Sequence, residues 1–420
     1  MIQINSFTEA NAYLTRLYRN ARVEYTLDNM RQLTAYLDNP QDKFKAVHVA
    51  GTSGKTSTVY YMSALLTAAG YKTGLTVSPH VGEINERVQI NGQPLPEEVF
   101  CQALTEFLAL IEGCPVKPSW FEAMVAFAYW YFAREKVDYA AIEVGLGGLK
   151  DGTNVINRSD KVCIVTDIGH DHVNVLGESL AGIAAQKVGI AQPGNQVFAY
   201  DQGPEITNVF KDCTSRQEAS LEIVDEQSEK KQFAKGAEQM PEYQLRNWLL
   251  AYRAYRFLEE RDGLPRLTSE VLRRIQDLLI PGRMEVRKAG NKTIIMDGAH
   301  NVQKITALIN SFQHQYPGEK PVVLLALRNG KEYGEITSLL NQLTDHVIVT
   351  TFETTQDVPV RSMDAKTLAA AFLRAGTKNV EAITDHDTAL AALLKSPEPT
   401  GLITGSFYLL SQIRNNKHLV

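Results

Sequence analysis

Residues 48–58, HVAGTSGKTST, combine the residue types and the spacing that bind a chain of phosphates. The run Lys45–Ala50 is short and apolar, residues 51–54 form a glycine turn, and apolar residues recur at helical spacing after Lys55. A strand, a glycine turn and a helix N-terminus direct backbone N–H groups and the positive end of the helix dipole at one point. The segment therefore predicts a phosphate-binding loop, formed by Gly51, Thr52, Ser53, Gly54, Lys55, Thr56 and Ser57.

The side chains of this loop suit a nucleoside triphosphate. Lys55 can reach the β- and γ-phosphates, and the hydroxyl of Thr56 or Ser57 can bind Mg²⁺. The full pattern has a glycine five residues before Gly54, where this chain has Val49. The alternative is a strand–turn–helix corner with a surface lysine, and the context of the turn favours the phosphate site.

The composition is that of a globular protein with more than one domain. The chain has 420 residues, of which 44% are hydrophobic and 22% charged. Its net charge of -5 argues against a nucleic-acid-binding protein. The sequence has no apolar run long enough for a membrane span and no signal-peptide core at its N-terminus. Four cysteines without C-x-x-C spacing indicate free thiols, so we expect a cytoplasmic protein.

Strand-like and helical segments alternate along the first two thirds of the chain. Strand-like runs lie at residues 45–50, 73–77, 137–144, 161–168 and 196–200, and helical spacing lies at 96–111, 119–136, 180–189 and 244–260. This alternation predicts an α/β fold with a mainly parallel sheet. We expect the polar stretch 225–242 to lie in solvent.

Several polar residues end or follow the predicted strands. Residues 51–56, Ser78, Glu143 and His170 each do so. In parallel sheets, ligands gather at the carboxyl ends of the strands. We therefore expect these residues to lie along one edge of the sheet.

A second series of strands and helices follows the break at residues 280–283, IPGR. A strand pair is predicted at 284–288 and 292–296, and later strands lie near 322–327, 346–350 and 402–404. We therefore predict a P-loop-type ATPase domain with a mainly parallel sheet over residues 1–284. A smaller Rossmann-like α/β domain is predicted over residues 285–420.

Nine short motifs occur in a specific order. They are GTSGKTS at 51–57, SPH at 78–80 with ERVQING after it, EVGLGG at 143–148, DGTNVI at 151–156, IGHDHVNVLG at 168–177, QKVGIAQPG at 186–194, PGRME at 281–285, DGAHN at 297–301 and GSFYL at 405–409. Their identity and order resemble the folylpolyglutamate synthase/dihydrofolate synthase family, within the Mur ligase superfamily. The resemblance runs from about residue 25 to the end.

The resemblance implies an ATP-dependent amide ligase. In this family ATP phosphorylates a folate or dihydropteroate carboxylate, and the amino group of L-glutamate attacks the acyl phosphate. The implied cofactors are ATP and Mg²⁺, with two metal ions. We expect a monomer that works on small molecules and binds neither nucleic acid nor membrane.

The resemblance also implies roles for individual residues. Ser78, Glu143 and His170 correspond to the Mg²⁺ ligands, with Thr56 beside them. From the residues alone, Glu143 is also compatible with a salt bridge at a strand end. Chemistry does not choose among His170, Asp171 and His172, and the resemblance selects His170.

Further residues are assigned by the same resemblance. Lys187 corresponds to a lysine that CO₂ often carbamylates, so that it helps to hold a second metal; the alternative is an exposed helix lysine. The predicted contacts to adenine, ribose and phosphate are Asn247, Arg283, Asp297 and His300. Arg283 could instead form a hinge salt bridge and Asp297 could cap a helix. The predicted acceptor-binding residues are Pro79, His80, Arg87, Asp151 and Thr153.

Two other functions are compatible with parts of the sequence. Thr56 is the residue seen in cell-wall Mur ligases, so the acceptor could be a cell-wall precursor. Against that, the loop begins near residue 51 and leaves no room before it for a nucleotide-sugar domain. A phosphate-loop NTPase that acts as a switch is the weaker alternative, because a switch does not need a second domain with DGAHN.

Overall fold

The computed structural model describes residues 3–18, 26–233, 237, 239–330, 333–354 and 360–419. The chain divides into two units. The first consists of Met1–Pro79, Ile84–Met240 and Gln244–Leu278, and the second of His80–Glu83, Pro241–Tyr243 and Leu279–Val420. The boundary predicted after residue 284 falls inside the second unit.

The first unit contains one large sheet. Its strands are β1 (Lys45–Ala50), β2 (Thr73–Thr76), β3 (Gln89–Ile90), β4 (Gln93–Pro94), β5 (Tyr139–Glu143), β6 (Val162–Val165), β7 (Gln196–Tyr200) and β8 (Ser220–Val224). Their order is β4-β3-β2-β5-β1-β6-β7-β8, and all pairs from β2 to β8 are parallel. The β3–β4 hairpin extends the β2 edge in antiparallel fashion. The predicted mainly parallel sheet is confirmed.

Helices cover both faces of this sheet. They are α1 (Phe7–Tyr18), α2 (Asp28–Tyr36), α3 (Lys55–Ala68), α4 (Glu97–Ile111), α5 (Trp120–Arg134), α6 (Val173–Leu176), α7 (Leu180–Val188), α8 (Pro204–Arg216), α9 (Glu226–Phe233), α10 (Glu242–Asp262) and α11 (Ser269–Gln276). The strands between them are buried apolar runs, as expected for a parallel sheet with both faces covered. None of the helices described is long and apolar enough to cross a membrane.

Local sequence explains why α5 begins where it does. Ser119 accepts a hydrogen bond from the backbone N–H of Glu122, and Glu122 accepts one from the backbone N–H of Ser119. This capping box satisfies N–H groups that the helix leaves unpaired. The helix then buries Phe127 and Phe132 in one core cluster with Phe100 of α4. Residues 135–138 then connect α5 to β5.

The expectation that residues 225–242 lie in solvent holds only in part. Asp225, Lys231 and Glu242 are exposed, whereas Ala237 and Met240 are buried. Residues 234–236 and 238 lie outside the described part of the chain. Within α9, Glu226 is partly buried and forms ion pairs with Lys230 and with Arg246 of α10.

The second unit contains a six-stranded sheet in the described part of the chain. Its strands are β9 (Glu285–Ala289), β10 (Lys292–Met296), β11 (Val322–Leu325), β12 (His346–Val349), β15 (Asn379–Ala382) and β16 (Thr400–Thr404), and a separate pair is β13 (Glu353–Thr354) with β14 (Val360–Arg361). The order is β15-β12-β11-β16-β10-β9, with β9 antiparallel and the others parallel. The helices are α12 (Val302–Gln315), α13 (Gly334–Leu343), α14 (Ala365–Ala375), α15 (His386–Lys395) and α16 (Phe407–Ile413). The second α/β series is confirmed.

Candidate active site

The predicted phosphate loop is a tight turn between β1 and α3. Gly54, immediately before α3, has a φ of 96°, and Gly51 has a φ of 150°. A Cβ atom on Gly51 would collide with the hydroxyl of Thr166, just after β6. Glycine is required at position 51 because the loop passes this closely over the neighbouring strand.

The segment after β6 braces the first half of the loop. The backbone N–H groups of Thr52 and Ser53 donate to the carbonyl oxygen of Asp167 at 2.8 and 3.3 Å. The Thr52 hydroxyl donates to the carbonyl oxygen of Gly169 at 3.0 Å and lies 3.1 Å from the Gly169 nitrogen. The sequence analysis missed this brace. The sequence could have predicted it. Neighbouring strands of a parallel sheet end at the same edge, so the end of β6 lies beside that of β1.

Helix α10 supports the same region through two consecutive side chains. The guanidinium of Arg246 donates to the Asp167 carboxylate, with an Nη2–Oδ1 distance of 2.8 Å, and lies 4.0 Å from the centre of the Tyr200 ring. Asn247 is buried, and a Cβ atom on Gly54 would collide with its side-chain oxygen. Asn247, predicted to contact the nucleotide, therefore lies against the phosphate loop.

Two lysines converge on one backbone oxygen of the loop. Lys55 Nζ and Lys187 Nζ each donate to the Gly51 carbonyl oxygen, both at 3.0 Å. Lys187 is 5% exposed, so the alternative of an exposed helix lysine is wrong. The two ammonium groups concentrate positive charge at the turn, where a phosphate chain would need it.

Two oxygen-bearing side chains and one backbone N–H group meet beside the loop. Glu143 ends β5 and accepts hydrogen bonds from the Thr56 hydroxyl at 2.9 Å and from the Ser78 backbone N–H at 3.2 Å. The Ser78 hydroxyl is buried and has no hydrogen-bond partner in the part of the chain that the structure describes. The sequence left two hydroxyls as candidates for Mg²⁺. The Thr56 hydroxyl is hydrogen-bonded to Glu143, whereas Ser57 is fully buried within α3.

The predicted ligand His170 has a backbone partner. It is exposed, and its Nε2 lies 3.0 Å from the carbonyl oxygen of Glu178. Across the described residues, no three His, Cys, Asp or Glu side chains are grouped so that they could hold a metal ion. The role of His170 as a metal ligand stays a prediction.

Asp151 and Thr153 form a buried network with His48 of β1. Asp151 accepts hydrogen bonds from the Leu146 N–H at 2.7 Å and from the Thr153 hydroxyl at 2.5 Å, and Thr153 Oγ1 lies 2.8 Å from His48 Nε2. Burial raises the pKa of the Asp151 carboxyl group, although these hydrogen bonds oppose the shift. Burial holds the pKa of His48 well below 6.5. This network shapes the loop that follows Glu143.

The other predicted acceptor-binding residues lie in different places. Arg87 is buried, with its guanidinium carbon 4.6 Å from the centre of the Trp120 ring. Pro79 is partly buried at the end of the first unit's segment. His80 is buried and belongs to the second unit.

In the second unit, Asp297 follows β10 and fixes the chain around it. Its carboxylate accepts hydrogen bonds from the Tyr243 hydroxyl at 2.6 Å and from the backbone N–H groups of Met284 and Ala299, each at 2.9 Å. Burial raises the pKa of this carboxyl group, and the nearby charge of Arg283 opposes that rise. The N-cap of α12 is Asn301, so the alternative that Asp297 caps this helix is wrong.

His300 lies close to Asp297 in the same motif. Its Nδ1 is 2.7 Å from the Gly298 carbonyl oxygen, which makes Nδ1 the protonated nitrogen. Its Nε2 lies 3.1 Å from Nζ of Lys304 and accepts a hydrogen bond from that ammonium. In the second unit, Asp297 and His300 therefore follow the end of β10, and Arg283 lies in the turn before β9.

Comparison with known proteins decides the family. Over 92% of its length, the chain is 30% identical to the dihydrofolate synthase/folylpolyglutamate synthase of Bacillus subtilis, and the match covers 94% of that protein. The chain belongs to this family. Residues 282–407 also match the model of the Mur ligase glutamate ligase domain. Members of the dihydrofolate synthase/folylpolyglutamate synthase family are ATP-dependent ligases, and this chain is an enzyme of that class.

Solved structures of this synthase family share the fold of the chain. The folylpolyglutamate synthase of Mycobacterium tuberculosis, complexed with ADP, has a TM-score of 0.83 at 26% identity and covers 97% of both chains. The bifunctional enzyme of Yersinia pestis, complexed with AMPPNP and a Mn ion, has a TM-score of 0.80 at 23% identity and covers 98% of both chains. The second likeness concerns the fold alone. The resemblance drawn from the nine motifs is confirmed.

Proposed function

We propose that this protein joins L-glutamate to the carboxylate of a folate-type acceptor, either dihydropteroate or a reduced folate. ATP transfers its γ-phosphoryl group to an oxygen of that carboxylate, which yields an acyl phosphate and ADP. The amino nitrogen of glutamate then attacks the acyl carbon. The carbon–oxygen bond to the phosphate breaks, and an amide, inorganic phosphate and a proton are the products.

The convergence of Lys55 and Lys187 on the Gly51 carbonyl oxygen carries this proposal. Phosphoryl transfer depends mainly on positioning and on neutralising the charge of the moving group. The Lys55 ammonium, beside the N-terminus of α3, meets that need, and Lys187 adds a second positive charge as long as its amine is unmodified. Thr56, the hydrogen-bond partner of Glu143, follows Lys55 directly in the chain.

We propose that ATP and Mg²⁺ bind at this loop. The donors fit a hard cation that prefers oxygen: the Glu143 carboxylate, the Thr56 hydroxyl and the Ser78 hydroxyl, which has no partner within the described chain. Bound Mg²⁺ would supply charge neutralisation on the phosphates. His170 stays a proposed ligand, and this role requires its contact with Glu178 to break.

A second metal ion rests on a modification of Lys187. We propose that CO₂ carbamylates its amine and that the carbamate becomes an additional oxygen ligand. The burial of Lys187 beside the loop supports this proposal, because a carbamate there is shielded from bulk water. Mass spectrometry of the intact protein in bicarbonate, under native conditions, would detect the added mass.

For the nucleotide, we propose contacts from Asn247 and from Arg283, Asp297 and His300. The packing of Asn247 against Gly54 supports its role. The planar guanidinium of Arg283 is suited to a forked contact with phosphate oxygens.

The acceptor is proposed to contact Pro79, His80, Arg87, Asp151 and Thr153. The buried hydrogen bonds of Asp151 and Thr153 support an action through the loop that follows Glu143. We further propose a cytoplasmic monomer. All four cysteines are free thiols, which suits a reducing compartment.

The test offers purified protein ATP, Mg²⁺ and labelled glutamate, with dihydropteroate and tetrahydrofolate in separate reactions. Products are identified by mass, and phosphate release is measured in parallel. We expect a glutamate adduct with at least one acceptor and phosphate release that requires both glutamate and acceptor. Phosphate release from ATP alone, with no adduct from either acceptor, would contradict the proposal.

A further inference from the structure

Phe407, in the GSFYL motif, packs against two residues of the second unit that are proposed to contact the nucleotide. The guanidinium carbon of Arg283 is 4.3 Å from the centre of the Phe407 ring. The His300 ring is 6.3 Å away, centre to centre, and inclined at 68°. A single aromatic side chain therefore contacts residues from both the PGRME and the DGAHN motifs.

The backbone of both motifs passes directly over this ring. A Cβ atom on Gly298 would collide with Phe407, and one on Gly282 would come within 3.0 Å of it. Gly282 also has a φ of 62°, which glycine adopts without strain. Both glycines thus allow the two turns to approach the Phe407 face, and the ring fills the space that they leave.

Hydrogen bonds fix the chain on either side of Arg283. The Gly282 N–H donates to Glu285 Oε2, the Met284 N–H donates to Asp297 Oδ2, and the Gly298 N–H donates to the Gly282 carbonyl oxygen, each at 2.9 Å. The Arg283 backbone is held by these bonds. The Arg283 side chain lies against the Phe407 ring, and its Nη1 also lies 3.4 Å from the Gly282 carbonyl oxygen.

We propose that Phe407 is a positioning residue that holds the Arg283 guanidinium for contact with the phosphates of ATP. Stacking uses the face of the guanidinium, whereas its N–H donors lie in the plane and point sideways. The ring therefore restrains the cation without competing for its donors. This inference rests on the proposed contact of Arg283 with ATP.

The test compares Phe407→Met, which keeps bulk but loses the ring, with Phe407→Tyr, which keeps the ring. Affinity for ADP and AMPPNP is measured by calorimetry, and KM for ATP, KM for glutamate and kcat are measured by turnover. We expect Phe407→Met to weaken nucleotide binding about tenfold, with KM for glutamate within about twofold of wild type. Phe407→Tyr should restore nucleotide binding to near the wild-type value.

A matched control separates positioning from stability. Leu409 lies on the same helix and is fully buried, so Leu409→Ala should lower Tm and leave nucleotide affinity unchanged. In an Arg283→Ala background, Phe407→Met should add nothing to the loss of affinity. Equal losses from the Met and Tyr variants, or a full additional loss in the Arg283→Ala background, would overturn the proposal. Calorimetry measures the effect of Phe407 on nucleotide affinity without any acceptor present. If the protein uses no folate-type acceptor, the proposed function fails in the product assay, and the calorimetric result for Phe407 still stands.

Discussion

The hydroxyl of Thr56 donates a hydrogen bond to Glu143 Oε1 across 2.9 Å, although 87 positions separate the two residues. The bond joins the first turn of α3 to the last residue of β5. It is possible because β1 and β5 are parallel neighbours, with Val49 opposite Glu143. The carboxylate is thereby directed at the phosphate loop rather than at solvent.

Replacing Glu143 by Gln should separate a metal-binding role from a structural one. The amide keeps the size of the side chain and can still accept from Thr56, but it removes the anion. We expect ligation to fall about 100-fold and the Mg²⁺ concentration needed for half-maximal rate to rise. Turnover is measured across a Mg²⁺ series, and Tm is measured on the same protein. A lower Tm with an unchanged Mg²⁺ requirement would identify Glu143 as a structural residue only.

Lys55→Ala should abolish ligation in a protein that stays folded. The ammonium group neutralises phosphate charge during transfer, and loss of one such stabilising group costs about 100-fold or more in rate. Single-turnover ligation and circular dichroism are the measurements. A matched control is Lys211→Ala, at an exposed lysine on α8. Nearly normal turnover by the folded Lys55→Ala variant would show that Lys55 has no essential role in the reaction.

Arg246 should support nucleotide binding without contacting the nucleotide. Its guanidinium holds Asp167, whose carbonyl oxygen accepts the N–H groups of Thr52 and Ser53. We expect Arg246→Gln and Asp167→Asn each to raise KM for ATP about three- to tenfold, with less than the summed effect in the double variant. Steady-state kinetics on the three variants measures this coupling.

Arg253→Gln is the matched control for that experiment. Arg253 lies on the same helix, and its ion pair with Glu222 has similar exposure, 24% and 34% against 23% and 28% for Arg246 with Asp167. Loss of the Arg253 pair should cost at most about 1 kcal/mol of stability and leave KM for ATP unchanged. The same rise in KM from both variants would show that the effect is not specific to the loop.

His48 should make the protein less stable at acidic pH. Burial depresses its pKa well below 6.5, so the folded protein keeps His48 neutral while the unfolded chain binds a proton. Its contribution to the free energy of unfolding is therefore complete above pH 6.5. That contribution declines as the pH falls toward the folded-state pKa, by up to about 1.4 kcal/mol per pH unit.

The test is chemical unfolding at several pH values from about 8 to about 5, a window that spans the unfolded-state pKa of about 6.5. His48→Gln can keep a hydrogen bond to Thr153 and should flatten the acid-side decline. The control His418→Gln removes an exposed histidine and keeps His48. A decline that is as steep in His48→Gln as in wild type would assign it to other groups.

Much of the frame of the site follows from the sequence. The β1 strand and the start of α3 were predicted to the residue, because an apolar run, a glycine turn and helical spacing mark them locally. The meeting of Glu143 with the loop followed from the rule that the carboxyl ends of parallel strands share an edge. These predictions needed only short-range pattern and one general property of parallel sheets.

Side-chain direction and long-range pairing did not follow from the sequence. His170 follows β6 as expected, yet its ring lies on the Glu178 carbonyl oxygen, and sequence spacing does not specify the course of that loop. The Arg246–Asp167 pair joins residues 79 positions apart. Segment 225–242 was expected in solvent because its charges were considered without partners from other elements, such as Arg246 of α10 for Glu226.

The brace from Asp167 orders the first half of the phosphate loop through hydrogen bonds within the protein. Two of its backbone N–H groups are committed to the protein, so the hydrogen bonds that define the turn are made during folding. The entropy of ordering residues 51–53 is then lost on folding rather than on binding, and nucleotide affinity need not be reduced by it. The contacts that order this half of the loop are thus contacts within the protein.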